Sequence, residues 1–438
     1  MCHHVRPALG LAAGLIVCGL APAFAQTAPA FPNAADSDPN RLGIMRGFPP
    51  PAERTVRFGD GSGYRFPATR WAFSHMRELV PTATVWRGDA GAAALPRAER
   101  DLGTIRLTTL AGASMTFAEA LAGTYTDGIL VMHRGQVVYE RYFGALAAHR
   151  QHIGMSLTKS FVGTLAAVLV AEGKLDPNAQ VTRYVPELAN TAYGDATVRQ
   201  VMDMTIGVRY SENYADPNAE VWAYARAGGM LPAGPNYQGP RSFYAFLTGL
   251  TKEGQHGEAF AYKTVNAEVL AWIVKRVSEL SLADLLSDRI WSKLGAEEDA
   301  YFTVDSVGTE SGGGGLNTTL RDLARFGEMM RNRGRFNGRQ VIPAAVVEDI
   351  ERGADRAHFA KVGYATLPGW SYRNMWWVSH NEHAAYMARG IHGQSVYVDP
   401  KAEMVIVRYA SHPVAGNAFN DPITLPAYMA VAKALMQP

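Results

Sequence analysis

The chain has 438 residues, of which 47% are hydrophobic and 19% charged, a globular composition that excludes disorder and can supply a large core. Its formal net charge of +2 leaves no basic surplus to draw in nucleic acid, so no nucleic-acid partner is expected. Only two cysteines are present, Cys2 and Cys18, which excludes a disulfide framework.

Residues 1–25 read as a secretory signal peptide. Arg6 precedes an apolar run, Ala8 to Leu20, too short to cross a bilayer as a helix, and Ala23-Phe24-Ala25 offers small residues for cleavage before Gln26. Cleavage would remove both cysteines, and with them any cysteine nucleophile or thiolate metal ligand. The expected location is the periplasm or the medium, with no stable membrane anchor after cleavage.

Residues 26–100 read as an extended N-terminal segment. Gln26 to Arg65 is rich in Pro, Gly, Asp and Asn and shows no period, while Trp71 to Glu78 suggests a short helix. Asp101 to Tyr125 is weakly patterned. From Gly128 to Tyr142, two β runs flank Arg134-Gly135, which predicts a hairpin. Ser156 to Ala171 predicts a helix closed by Gly173. Residues 175–300 read as helices and Pro-punctuated loops, with helical spacing at Val198 to Met204 and Ala267 to Glu279. A helix at Thr319 to Arg331 follows the run Gly312-Gly313-Gly314-Gly315. Strands are expected at Met375 to Ser379, Ala385 to Gly390, Ser395 to Val398 and Met404 to Tyr409, and a last helix at Leu425 to Met436. The implied fold is α/β (α+β): an antiparallel sheet flanked by helices, built from residues 101–174 and 301–438, with a mainly helical domain at 175–300 inserted.

Ser156-Leu157-Thr158-Lys159 places a serine and a lysine one helical turn apart, on one face. A serine hydroxyl needs a base within hydrogen-bond reach, and a desolvated lysine can serve. Such a pair is also compatible with a solvated serine and a surface lysine. The uncharged stretch Ser160 to Leu169 argues for burial, where a lysine is uncommon without a partner.

In order and spacing the chain resembles the β-lactamase-fold serine hydrolases, most closely the 6-aminohexanoate-dimer hydrolases, which cleave nylon oligomers and also act as carboxylesterases. The resemblance rests on Arg70-Trp71-Ala72-Phe73, Tyr125-Thr126-Asp127, Met155 to Ser160, Tyr184 to Leu188, Met202-Asp203-Met204, Tyr214 to Pro217, Asp322 to Arg325 and Gly390 to Gln394. It implies a β-lactamase/DD-peptidase-like fold with no cofactor and no metal. It implies Ser156, Lys159 and Tyr262 as catalytic residues, with Tyr262 relaying the proton to the leaving group; on residues alone, Phe260-Ala261-Tyr262 also fits a buried structural tyrosine. It implies an oxyanion hole from the N–H groups of Ser156 and Ile391, and Tyr214, Ala225, Gly313 and His392 as substrate-binding positions; His392 alone also fits a strand histidine beside a turn. The strand lacks the lysine of a Lys-Thr-Gly motif, which argues against β-lactam or D-Ala-D-Ala substrates. Ala225 and Gly313 stand where efficient nylon-oligomer hydrolases carry an acid and an asparagine, so that activity is expected to be weak, and Asp and Asn there to raise it.

The partner expected is a small-molecule ester or amide, with a homodimer left open. Rival readings fare worse. No serine completes G-x-S-x-G. His380 and His383 have no third metal ligand in sequence reach. A non-catalytic binder of cell-wall material has no need of Ser156, Lys159 and Tyr262 together.

Overall fold

A computed structural model describes residues 31–437, so the signal peptide read at 1–25 lies outside the described residues. The principal sheet has seven antiparallel strands: β1 (Thr126–His133), β2 (Gln136–Tyr142), β3 (Ser371–Arg373), β4 (Trp376–Val378), β5 (Tyr386–Gly390), β6 (Gln394–Asp399) and β7 (Met404–Ala410). Their order, β3-β4-β5-β6-β7-β1-β2, joins both ends of the chain through the β7–β1 ladder. Arg134 and Gly135, both at positive φ (51° and 78°), form the tight turn of the β1–β2 hairpin.

Four helices position the site: α1 (Thr158–Ala171), α2 (Val265–Ser278), α3 (Leu320–Arg331) and α4 (Asp421–Met436). Alternation along β6 sorts its neighbours. Ser395 Oγ lies 2.8 Å from the Tyr428 hydroxyl of α4, and the Tyr397 ring packs on the same tyrosine at 5.3 Å. Val396 points the other way, to α3, where Gly327 admits no side chain: a Cβ there would lie 3.1 Å from Val396 and 2.6 Å from Val405. α1 runs through the core, buried from Thr158 to Leu169. It rests against the β3–β4 turn at Gly163, where a Cβ would fall 2.0 Å from the Asn374 carbonyl oxygen.

A second antiparallel sheet has the order Thr82–Val85, Ala300–Thr303, Leu316–Thr318, His152–Ile153. Of its last two strands, Leu316–Thr318 follows directly on the glycine run and His152–Ile153 leads into the Ser156 turn. Within residues 26–100, read as an extended N-terminal segment, Thr82–Val85 is a strand paired with Ala300–Thr303. Four residues are too few to show a period, and the partner is some 200 residues away. Two further strands, Arg106–Thr108 and Ser114–Thr116, and a capped helix, Phe117–Gly123, occupy the weakly patterned stretch before the hairpin. Residues from Pro32 onward form one compact unit, and the helical stretch shares a continuous apolar core with the sheet.

Arg70 and Asp127, both almost fully buried, pair at 3.2 Å, and Arg70 also donates to Ala34 O and Ser37 Oγ. Removing the carboxylate strands a guanidinium in the core. Asp127→Ala is therefore expected to lose about 3–5 kcal/mol of stability. Urea unfolding checks this, and a loss under about 1 kcal/mol would mean that the pair does not hold the N-terminal segment in place.

Candidate active site

Ser156 sits in a tight turn between the strand His152–Ile153 and α1. Met155, just before it, adopts φ +48°, a left-handed conformation that a non-glycine residue holds only when its surroundings enforce it. The enforcement comes from backbone packing. A Cβ on Gly390, at the end of β5, would lie 2.4 Å from the Gly154 carbonyl oxygen. The edge of the sheet therefore meets the serine turn backbone to backbone.

Lys159 Nζ lies 2.7 Å from Ser156 Oγ and donates to the Gly313 carbonyl at 2.5 Å. Its side chain has no exposure. Desolvation lowers its pKa from the usual lysine value to about 8, against the opposing charges of Glu212 and Glu268. Tyr262 lies beside Ser156 in the cleft, and burial, then the Glu212 charge, pushes its phenol well above the ordinary range, so it keeps its proton at neutral pH. Its ring packs against Trp377 at 5.3 Å, and Lys159 Nζ lies 5.3 Å from the ring centre. The structure thus brings Ser156, Lys159 and Tyr262 into one contact group.

Two carboxylates escaped the sequence reading. Glu268, buried on α2, accepts from Gly312 N (2.9 Å), Gly313 N (2.8 Å), Ser311 Oγ (3.2 Å) and Tyr224 Oη (2.6 Å). It thereby holds the two peptides immediately before the carbonyl that faces Lys159. Its signal was a lone acid in the apolar helical run Val265 to Val274. Glu212 accepts from Thr264 N (2.7 Å), Thr264 Oγ1 (2.6 Å) and Tyr214 Oη (2.7 Å). It lies in an aperiodic loop and carried no signal.

The four substrate positions inferred from resemblance, Tyr214, Ala225, Gly313 and His392, line one cavity of about 600 Å³ with Ser156 and Ile391. Three of them are closely engaged with neighbouring protein groups. Tyr214 spends its hydroxyl on Glu212. His392 hydrogen-bonds through Nδ1 to the His412 carbonyl at 2.6 Å, and burial lowers its pKa to about 4, so the ring is a neutral wall that ties down a loop. Gly313 has no room for a side chain: a Cβ would lie 2.6 Å from Thr264 Cγ2, 2.7 Å from Tyr224 Oη and 2.8 Å from Glu268 Oε1. The asparagine expected to help there has no place to go, because the glycine run is packed under the lysine.

His380 and His383 serve separate partners, Ser371 Oγ and Asp399, each at 2.7 Å. Among the described residues, no group of three or more His, Cys, Asp or Glu side chains could hold a metal ion.

A family model described as Beta-lactamase matches residues 116–425. The 6-aminohexanoate-dimer hydrolase of Paenarthrobacter ureafaciens is 39% identical over 348 residues, covering 79% of this chain and 86% of that one. A Bacillus anthracis structure provisionally assigned as a 6-aminohexanoate-dimer hydrolase superposes with a TM-score of 0.79 at 34% identity, covering 87% of this chain and 99% of that one. A family VIII carboxylesterase, 16% identical, shares the fold with a TM-score of 0.53, covering 72% and 96%. With its antiparallel sheet, buried Ser-Lys pair and these relatives, the chain belongs to the β-lactamase family and is a serine hydrolase.

Proposed function

We propose that the chain is an exported enzyme that forms an acyl-enzyme on Ser156 and hydrolyses carboxylic esters, with linear amides such as 6-aminohexanoate oligomers as a second class. The observation that carries this is the 2.7 Å contact between Ser156 Oγ and a lysine with no exposure. In its neutral form Lys159 has two N–H bonds and a lone pair. One N–H stays on the Gly313 carbonyl, and the lone pair is free to take the serine proton. Ser156 Oγ bonds to the acyl carbon, and the carbonyl oxygen becomes an oxyanion held by the N–H groups of Ser156 and Ile391. The bond to the leaving oxygen or nitrogen then breaks. Tyr262 gives that atom its proton and recovers one from Lys159. Water repeats the sequence in reverse roles, releasing the acid and restoring Ser156.

The test is intact-mass analysis after treatment with a fluorophosphonate. One adduct is expected, on the peptide containing Ser156 and absent from Ser156→Ala. An adduct on another serine overturns the assignment. In the same spectrum, protein secreted by an expressing bacterium should begin at Gln26; retention of Met1 would overturn export.

A further inference from the structure

We infer that the cleft sorts the two halves of its ester, taking an uncharged apolar acyl chain on the side of Ala225 and an aromatic leaving alcohol on the side of Tyr262. This deepens the acyl-enzyme reading and rests on it. The cleft divides at Ser156 into two cavities of about 600 and 530 Å³, and both also reach Glu212, Tyr214, Ile391 and Gly416. Tyr262 lines only the second. The departing oxygen must come to the group that protonates it, so the alcohol lies in the second cavity. With the oxyanion turned toward the Ser156 and Ile391 backbone, the acyl chain is left with the first.

Both walls carry aromatic rings, but the first adds the larger group of aliphatic and thioether side chains. The first cavity is lined by Met155, Val221, Trp222, Ala225, Met230 and Leu231, and Glu212 at the junction is its one charged residue. That carboxylate already accepts from Thr264 twice and from Tyr214. Beyond Glu212 the polar groups lining this arm, among them Asn213, Tyr64 and Tyr224, are neutral, so no full charge among the described residues faces an ammonium or a carboxylate there, and a charge without an opposite charge is costly to bury. Methylenes gain there instead. The second cavity is lined by Tyr210, Phe260, Tyr262, Tyr364 and Trp377, and its Lys263 donates to the Val208 carbonyl. Its Arg389 is paired with Asp421 and stacked 4.9 Å from the Trp377 ring centre, so its charge is already matched. Such a wall favours a flat ring over an aliphatic group of equal size. The substrate class is therefore aryl and arylmethyl esters of unbranched, uncharged carboxylic acids longer than acetate.

The experiment measures kcat/KM for three sets of esters, with Ser156→Ala subtracted. The first set is p-nitrophenyl acetate, butyrate, hexanoate and octanoate. The expected rise is about two- to fourfold per added methylene until the arm is full. The second pairs p-nitrophenyl hexanoate with p-nitrophenyl 6-aminohexanoate, where the charged ester should be at least about tenfold poorer. The third pairs benzyl with cyclohexylmethyl butyrate, whose alcohols are of similar acidity, and benzyl should lead. Ala225→Asp should narrow or reverse the hexanoate preference, while Ala225→Phe should flatten the acyl series. Ser156-dependent turnover with a flat acyl series overturns the sorting, as does equal use of the 6-aminohexanoyl ester or a lead for cyclohexylmethyl. Absence of Ser156-dependent turnover on every ester overturns the acyl-enzyme reading as well.

Discussion

Lys159→Ala, Tyr262→Phe and the double variant are expected to fall to one common floor, about 10³- to 10⁴-fold below the parent in kcat/KM for an activated ester. The reason is geometric. Lys159 Nζ contacts Ser156 Oγ and lies under the Tyr262 ring, so under the proposed mechanism a proton leaving the serine would pass through both groups. Groups that act as one unit lose their effect together, and the second removal then costs little more. A double variant whose loss equals the product of the single losses would overturn the relay. The pH profile supplies a separate readout. Desolvation lowers the Lys159 pKa to about 8. A protonated lysine cannot accept the serine proton, so kcat/KM should rise as pH increases from 6 and level off above about 8. Tyr262 keeps its proton through this range, because burial pushes its phenol up. A rate that is level from pH 6 to 9, or that falls through 8, would mean that Lys159 acts as an ammonium rather than as a base.

How much of this was legible beforehand follows from the range of each interaction. The hairpin, the Ser156 helix and the strands near the C-terminus announce themselves through local alternation, glycine turns and apolar runs, and they stand within a residue or two of where the sequence places them. The strands Thr82–Val85, Ala300–Thr303 and Leu316–Thr318 have three or four residues each, and the sheet they form is completed by pairings far along the chain, Thr82 with Thr303 and His152 with Thr318, so local signals are too short to define them. The same holds at the site. Ser156 and Lys159 are neighbours on one helix, and their pairing is visible in four letters. Glu268 reaches the glycine run across 45 residues, and Glu212 reaches Thr264 across 52. Resemblance implied Gly313 as a substrate position, yet it could not convey how little space Thr264, Tyr224 and Glu268 leave there, because the space at a residue is set by side chains distant in sequence.

That space decides the last prediction. Resemblance to the oligomer hydrolases implies that Gly313→Asn should raise dimer hydrolysis, whereas the structure implies that it should damage the enzyme. The new Cβ would meet three atoms at 2.6–2.8 Å, and two of them, Tyr224 Oη and Glu268 Oε1, are already bonded to each other at 2.6 Å. Neither can yield without opening the network that holds the Gly312 and Gly313 N–H groups. The Gly313 carbonyl, which accepts from Lys159, would shift with it. Misplacing a catalytic group by about 1 Å costs on the order of a hundredfold. Gly313→Asn should therefore lose about a hundredfold in ester kcat/KM and gain nothing on the linear 6-aminohexanoate dimer. Glu268→Ala should lose a similar factor by the same displacement, and it should also lower the Tm, since two backbone N–H groups and a phenol are left unpaired at about 1–3 kcal/mol each. Because both changes act on one carbonyl, the double variant should be little worse than either alone. The comparison to make is kcat/KM for p-nitrophenyl butyrate and for the dimer across the parent, Gly313→Asn, Glu268→Ala and the pair. A Gly313→Asn enzyme with full ester activity and faster dimer hydrolysis would show that Tyr224 and Glu268 repack freely, and that Lys159 is held without the Gly313 carbonyl.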